Sequence, residues 1–235
     1  MPNTTRCEHC GRLLNACSVT ILGKEVTVGY QECQCDGAKS QRATAERAES
    51  LMRQAQERLE FGQKLAAAGV MPRYMDAEHD KAREYADAVM QGEGAYIHGD
   101  VGTGKTHLAS AIARELVSRG AKVRFTSTWK ILDELKLAMK YGTDPLYKME
   151  VVRVLILDDF GKEAPTDYAL ERLFALVDER CARMLPTIVT TQYRPSMLVE
   201  RLARKGDPDT AKAIVSRLRQ DSFVVELTGR DRRLR

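Results

Sequence analysis

No run of the sequence approaches the ~20 consecutive apolar residues that a bilayer-spanning helix needs. The opening Met-Pro-Asn-Thr-Thr-Arg-Cys also lacks the apolar heart of a secretory leader. The expectation is a cytoplasmic protein with no membrane partner. Internal repeats and low-complexity tracts are missing, which argues against a solenoid or a compositionally disordered chain. Neither sign of charge is in large excess: 37 Lys and Arg against 33 Asp and Glu leave +4. A polyanionic partner is permitted by that balance but not demanded. Cysteine is nearly absent from most of the chain, because only Cys181 of the six lies beyond residue 35.

What is present is ordinary for a globular protein: 235 residues, 43% hydrophobic and 30% charged. Three segments are legible. Residues 1–37 are rich in cysteine and poor in large apolar side chains. Residues 38–68 are dominated by Ala, Arg, Glu and Gln, with Leu51, Leu59 and Leu65 loosely spaced, which predicts a solvated linker helix. Gly69 and Pro72 end it. Residues 69–235 alternate strand and helix patterns, as in an α/β fold with a parallel sheet flanked by helices. Strands are predicted at Ala95–His98, Lys122–Thr126, Val151–Leu157 and Thr187–Thr191, and helices at Thr106–Arg119, Thr128–Tyr141 and Asp167–Met184. The nearly unbroken apolar run Val151–Leu157 predicts a strand buried on both faces.

Between the first strand and first helix of that core stands Gly99-Asp100-Val101-Gly102-Thr103-Gly104-Lys105-Thr106, a full match to G-x-x-x-x-G-K-[ST] in its proper context. Glycines there let backbone N–H groups turn inward around phosphate oxygens, and the following helix aims its positive end at the same anion. Lys105 is expected to reach the β- and γ-phosphates of ATP, and the Thr106 hydroxyl to ligate Mg²⁺. Val154-Leu-Ile-Leu-Asp158-Asp159 ends an apolar strand in two acids at the sheet edge where such folds bind ligands. Asp158 is the expected second Mg²⁺ ligand, and Asp159 is placed to orient the attacking water. Thr191 and Gln192 close the strand Thr187–Thr191, so a polar group there can meet the γ-phosphate or the water.

Cys7-x₂-Cys10 and Cys33-x-Cys35, separated by 22 residues, supply four thiolates in two close pairs. That pattern suits a structural tetrahedral Zn²⁺ site, with His9 and Cys17 as spare ligands. Trp129 through Lys148 interleaves Lys136, Lys140 and Lys148 with Tyr141 and Tyr147. Such a mixture either tracks single-stranded DNA or forms the solvated face of a helix.

Taken together, these parts resemble the AAA+ helicase-loader ATPases of bacteria, DnaC-like and DnaI-like, and the related IstB-type transposition ATPases. Tyr96 to Ala113, Leu155-Ile-Leu-Asp158-Asp159-Phe-Gly161, Ile214-Val-Ser-Arg217-Leu and Gly229-Arg-Asp-Arg-Arg233 carry the likeness, with His107 following the glycine loop. The resemblance covers residues 69–235. It implies that Thr191 or Gln192 acts as sensor 1, that Arg217 is an arginine finger reaching a neighbour's γ-phosphate, and that Arg232 or Arg233 is a second sensor. It places Tyr74 near the adenine. It also implies an ATP-dependent homo-oligomer, a replicative DNA helicase and single-stranded DNA as partners, and a zinc module that binds the partner. Two departures from the wider AAA+ pattern stand out. Only 18 residues follow Arg217, too few for a carboxyl-terminal helical lid, a trait shared with the loader and IstB group. The acid pair is Asp-Asp where Asp-Glu is usual, which predicts slow hydrolysis suited to a switch. The competing classes are a P-loop small-molecule kinase, disfavoured because no cluster of lid arginines follows the core, and a module that holds ATP without cleaving it.

Overall fold

The structure, a computed structural model, describes residues 4–21, 24–141, 146–162, 166–204 and 206–231. The chain divides into two compact units, residues 1–60 and 61–235. The division falls inside one long helix, Asp36–Ala68.

The first unit holds a three-stranded antiparallel sheet in the order β1 (Thr4–Arg6), β2 (Leu13–Ile21), β3 (Lys24–Tyr30). Helix α1 (Asp36–Ala68) begins in it. Leu51, Met52 and Leu59 of α1 are exposed, the solvated helix that the composition predicts. At its end Gly69 adopts φ 95°, and Val70 N–H bonds back to the Leu65 carbonyl, a left-handed cap. The core of the first unit is small: Cys7, Cys33 and Ala38, with Leu14 and Cys35 against them.

The second unit opens with a 3₁₀ turn at Pro72–Tyr74. There follow α2 (Ala82–Met90), β4 (Gly94–Gly99), α3 (Lys105–Ser118), β5 (Val123–Ser127), α4 (Thr128–Tyr141), α5 (Tyr147–Val151), β6 (Val154–Asp158), α6 (Asp167–Ala182), β7 (Thr187–Thr191), α7 (Pro195–Ala203), α8 (Pro208–Arg219) and β8 (Ser222–Leu227). The five strands pair in parallel in the order β5-β6-β7-β4-β8. Strands β4, β5, β6 and β7 are each followed by a helix, the arrangement that lets a parallel sheet be covered on both faces. Two apolar clusters do so. One packs Leu108, Ile112 and Leu116 of α3 against Ile97, Ile156 and Ile188; the other packs Leu173 and Leu176 of α6, with Ile214 and Leu218 of α8, against Tyr96, Leu155 and Val189.

One of the expected strands is shorter than its apolar run. The apolar run Val151–Leu157 is not a single strand: Val151 ends α5 and is exposed, and the strand starts at Val154, buried from end to end. Val152 leaves α5 in an extended conformation, and the Arg180 guanidinium takes its carbonyl and that of Met149 at 2.8 and 2.7 Å. Arg180 itself is 1% exposed, and Thr187 and Pro186 accept from its Nε and Nη2. That anchor supplies the break that apolar periodicity alone does not reveal. Among the described residues no helix is long and apolar enough to cross a membrane.

Candidate functional site

Strand β4 feeds its last residue, Gly99, directly into the glycine loop. Gly99 has φ 148°, and a Cβ there would lie 2.0 Å from the Leu227 carbonyl oxygen of the adjacent strand, so no side chain is admissible. The loop then turns through Gly104, which is left-handed at φ 99° and caps α3. Lys105, 8% exposed, folds its ammonium back onto the loop and donates to the Gly99 and Asp100 carbonyls at 2.8 and 2.7 Å. Thr103 bonds to the same Asp100 carbonyl and is nearly buried. The first-turn amides of α3 open onto a cavity of about 340 Å³ lined by Arg73, Tyr74, Val101, Gly102, Gly104, Lys105, Thr106, His107, Asp159, Phe160, Lys162 and Gln192.

Beneath this floor, Thr106 donates its hydroxyl to both Asp158 oxygens, at 3.0 and 3.1 Å. Asp158 is 4% exposed. Burial pushes its carboxyl above the ordinary carboxylate range, while the Thr190 and Thr106 hydroxyls pull the other way. A hydroxyl and a carboxylate converging at the foot of a phosphate loop are hard oxygen donors of the kind Mg²⁺ takes, so the residues present fit that ion. Asp159 follows with φ 55°, an uncommon conformation for a side-chain-bearing residue. Its half-exposed carboxylate faces Lys162 at 3.6 Å. Gly161 and Lys162 give their carbonyls to the Arg201 guanidinium of α7 at 3.2 and 2.8 Å, so the turn after β6 is braced from behind.

The structure brings most of the expected residues to one place. Lys105, Thr106 and His107 line the cavity with Asp159 and Gln192, and Asp158 lies directly below. Gln192 donates to the Tyr193 hydroxyl at 2.8 Å. Thr191 is separated from the cavity: it is fully buried, donates to the Phe160 carbonyl at 2.7 Å and accepts from Tyr193 N–H. Tyr74 and His107 meet edge to face with ring centres 6.3 Å apart, and His107 Nε2 lies 2.9 Å from the Glu78 carbonyl. Arg217 stands elsewhere. Its guanidinium donates to Asp178 at 2.8 Å beside a cleft lined by Gly94, Thr187 and Ser222, the residues that begin β4, β7 and β8. Arg232 and Arg233 lie outside the described residues, as do the side chains of Lys136, Lys140 and Tyr141; Trp129 and Tyr147 are exposed. Two residues that sequence reasoning passed over belong to the site. Arg201 braces the turn, and Thr190 touches both acids. Neither carries a motif; a hydroxyl amid a buried strand is the one signal that marks Thr190.

The four cysteines of the first unit converge. The sulfurs of Cys7, Cys10, Cys33 and Cys35 all lie within 4.8 Å of one another. Cys7 to Cys35 is 3.8 Å and Cys10 to Cys33 is 3.4 Å. A tetrahedron with Zn–S bonds near 2.3 Å has edges of about 3.8 Å, so the cluster fits that ion. Gly11, at φ 70°, donates its N–H to the Cys7 carbonyl and closes the turn. Amide donors from Cys10 and His9 draw the Cys7 thiol down to about 6, while the neighbouring cysteine side chains push the Cys10 thiol up to about 11, so the first proton leaves the cluster from Cys7. Neither spare ligand is part of this group: Cys17 lies outside it, and His9 Nε2 is engaged with Gln41 at 2.9 Å.

Residues 80–235 match the family model described as IstB-like ATP binding protein. A putative ATP-binding protein in an insertion sequence of Mycobacterium tuberculosis is 30% identical over 147 residues, covering 59% of this chain and 55% of that protein. The replicative helicase loader DnaI of Bacillus subtilis is 27% identical over 150 residues, covering 61% and 48%. The chain thus spans about half the length of these curated relatives. Among solved structures, a crystal structure of DnaI aligns at 30% identity and TM-score 0.56, over 63% of this chain and 84% of that one. The DnaC helicase loader shares the fold at TM-score 0.58 and 24% identity, over 67% of this chain and all of that one.

Proposed function

The chain belongs to the IstB-like ATP-binding family, and on that premise we propose that it is an ATP-driven switch that delivers a replicative DNA helicase onto DNA. The observation that carries the switch is the convergence of Lys105, the first turn of α3 and the Thr106–Asp158 pair on one cavity. In this reading Lys105 exchanges its two carbonyl partners for the β- and γ-phosphates. Thr106 and Asp158 would hold Mg²⁺, which would supply positive charge to offset that developing on the phosphates. Asp159 takes the proton side of the attacking water and Gln192 contacts the γ-phosphate. Arg217 of a second copy reaches the same phosphate from outside. An aspartate at 159 is one methylene shorter than the usual glutamate, so hydrolysis is slow and the bound state long-lived. The similarity to DnaI and DnaC and the thiolate cluster support the loader assignment.

A second reading, a regulator of DNA transposition, draws support from the family description and the insertion-sequence relative. The two separate in one experiment. The full chain and its Lys105→Ala variant are used to capture a purified replicative helicase and a purified transposase, with and without ATP. The loader reading expects ATP-dependent capture of the helicase, lost in Lys105→Ala. Deleting the charge-assisted bonds of one lysine, at about 1.5–3 kcal/mol, weakens ATP binding by roughly 10- to 100-fold. Capture of the transposase alone reverses the assignment, and unchanged ATP affinity in the variant removes the switch.

A further inference from the structure

Thr190 sits in the middle of the most enclosed part of the sheet. It lies on β7 between β6 and β4, and it is 0% exposed. Its neighbours Ile188 and Val189 are the apolar, β-branched residues that such a strand calls for. A hydroxyl at this position is unfavourable unless it is bonded, because burying it unpaired costs about 1–3 kcal/mol. The residue that would fill the same space without that requirement is valine. Thr190 is therefore a polar group with a specific use.

Its partners state the use. Thr190 Oγ1 lies 2.6 Å from Asp158 Oδ1 and 3.0 Å from the backbone nitrogen of Asp159. A backbone N–H can only donate, and the hydroxyl has a single proton. The direction is then settled: Asp159 N–H donates to Thr190 Oγ1, and Thr190 donates onward to Asp158 Oδ1. The Thr190 carbonyl also accepts the Phe160 N–H at 2.8 Å. One residue of β7 thereby holds three successive residues, the last of β6 and the two that follow it, through both its side chain and its backbone. The middle one is Asp159, whose left-handed backbone requires the surrounding structure to hold it.

The consequence for Asp158 is geometric. Thr106 bridges both carboxylate oxygens, whereas Thr190 touches Oδ1 alone. The carboxylate is pinned from the β7 side and cannot rotate away from Thr106. Oδ2 accepts from Thr106, and Thr106 sits on the cavity wall.

We propose that Thr190 is the positioning residue that presents the two acids of this turn to magnesium and water: it fixes the Asp158 carboxylate toward Thr106 and fixes the Asp159 backbone so that its carboxylate lines the cavity. The assignment rests on the nucleotide-switch reading above. Hydrogen-bonding partners one step behind a metal ligand change metal affinity or activity by about 10–100-fold when they are removed. Thr190 never touches nucleotide, so its removal acts only where the acids act.

The test uses the full chain and three substitutions: Thr190→Val, which keeps the shape without the hydroxyl; Thr190→Cys, a weaker donor of similar size; and Thr190→Ser, which keeps the hydroxyl. Binding of a fluorescent ATP analogue is titrated in EDTA and across a Mg²⁺ series, and ATP turnover is measured over the same series. Thr190→Val is expected to need about 10–100-fold more Mg²⁺ for half-maximal tightening and half-maximal turnover, with affinity in EDTA within about twofold of wild type. Thr190→Ser is expected to stay near wild type and Thr190→Cys to fall between. Wild-type Mg²⁺ dependence in Thr190→Val overturns the assignment, and so does a defect in Thr190→Ser as large as that in Thr190→Val. A loss in EDTA equal to the loss in Mg²⁺ also overturns it, since that is what general misfolding of the site produces. A wild-type chain whose nucleotide affinity ignores Mg²⁺ overturns the switch itself, and this assignment with it; only a responsive wild type paired with an equally responsive Thr190→Val overturns the assignment alone.

Discussion

Asp158 places a carboxyl where burial disfavours its charged form. The carboxyl is 4% exposed, and burial outweighs the pull of the two threonine hydroxyls. Asn at this position keeps both contacts, since its carbonyl oxygen accepts from Thr190 and its amide can donate to a reoriented Thr106 hydroxyl. Asp158→Asn is therefore expected to raise the melting temperature at pH 7.5 by roughly 2–4 °C, the shift that about 1 kcal/mol produces in a chain of this size. The same variant loses the Mg²⁺-dependent tightening of ATP binding. Thermal melting and a nucleotide titration on one preparation check both halves, and a variant less stable than wild type would contradict the account. At this scale the motif residues that line the cavity were legible because the chemistry expected of them dictates their types: glycines where a chain would turn around phosphate, a lysine and a threonine where phosphate and metal would be held. Thr190 was not legible, because threonine is also a good strand former, and nothing in its type separates a used hydroxyl from a tolerated one. Thr191 and Gln192 were read as alternatives for one position; they divide in the structure because successive residues at a strand end face opposite ways, one into the sheet and one to the cavity wall.

Elements were legible where their period was strong. Strand β7 and helix α4 fall where the pattern predicts, and β6 is buried throughout, as an apolar run implies. The helices α2, α7 and α8 and the strand β8 escaped notice. Strand β8 lies at the sheet edge with only Val225 buried, so it lacks the unbroken apolar run of β6. The amino-terminal sheet escaped for a related reason. Val19, Ile21, Val26 and Val28 are all exposed, so the strands are not marked by a buried face. Helix α8 has a clear physical start. Asp207 accepts from the Thr210 N–H and hydroxyl at 2.6 and 2.7 Å, and Pro208 occupies the first helical position. Those bonds, the Thr210 hydroxyl first, hold the Asp207 carboxyl below the ordinary value of 3.8. A depressed carboxylate stabilises the fold fully above its unfolded value, and that contribution fades as pH falls through the folded value. Asp207→Ala should therefore melt below wild type at pH 7 and converge on it in the acid range below pH 3.8. Melting curves of the two proteins from pH 7 downward decide this; a gap that persists or widens in acid assigns the effect to something other than the charged cap. The helix matters because Arg217 rides on its last turn.

At the scale of the whole chain, the two units are sustained by different means. The second has two apolar clusters across a five-stranded sheet. The first has little beyond cysteine sulfur at its centre, and a core that small seldom suffices without a metal or a crosslink. Zinc held by the four thiolates would supply folding free energy directly. The purified chain is expected to carry one zinc per molecule. Cys33→Ser or a strong chelator should abolish the unfolding transition of the first unit in calorimetry while the second unit keeps its own transition and its ATP affinity. Metal content below one per chain with an unchanged calorimetric profile would show that the thiolates fold without it.

The separation of Arg217 from the cavity bears on assembly. Strand β4 begins at Gly94, beside the cleft of Arg217, and ends at Gly99, where the glycine loop starts. Five residue steps of strand put the two places roughly 15 Å apart or more. One copy cannot bring its own Arg217 to its own nucleotide without dismantling the sheet. If Arg217 acts on the γ-phosphate, it acts on another copy's, and turnover per chain must rise with chain concentration. Asp178, which now holds the guanidinium at 2.8 Å, is the partner it must leave. Arg217→Ala is expected to bind ATP normally and to lose the concentration-dependent part of turnover. Mixing provides the sharper test. Arg217→Ala keeps an intact cavity and lacks the finger; Lys105→Ala keeps the finger and lacks the cavity. Each alone is expected to lack concentration-dependent turnover, but a mixture contains interfaces that join the intact cavity of one to the intact finger of the other. Turnover should reappear in the mixture and peak near equal amounts. A mixture as silent as its components would place Arg217 outside the reaction, as one half of a surface ion pair with Asp178.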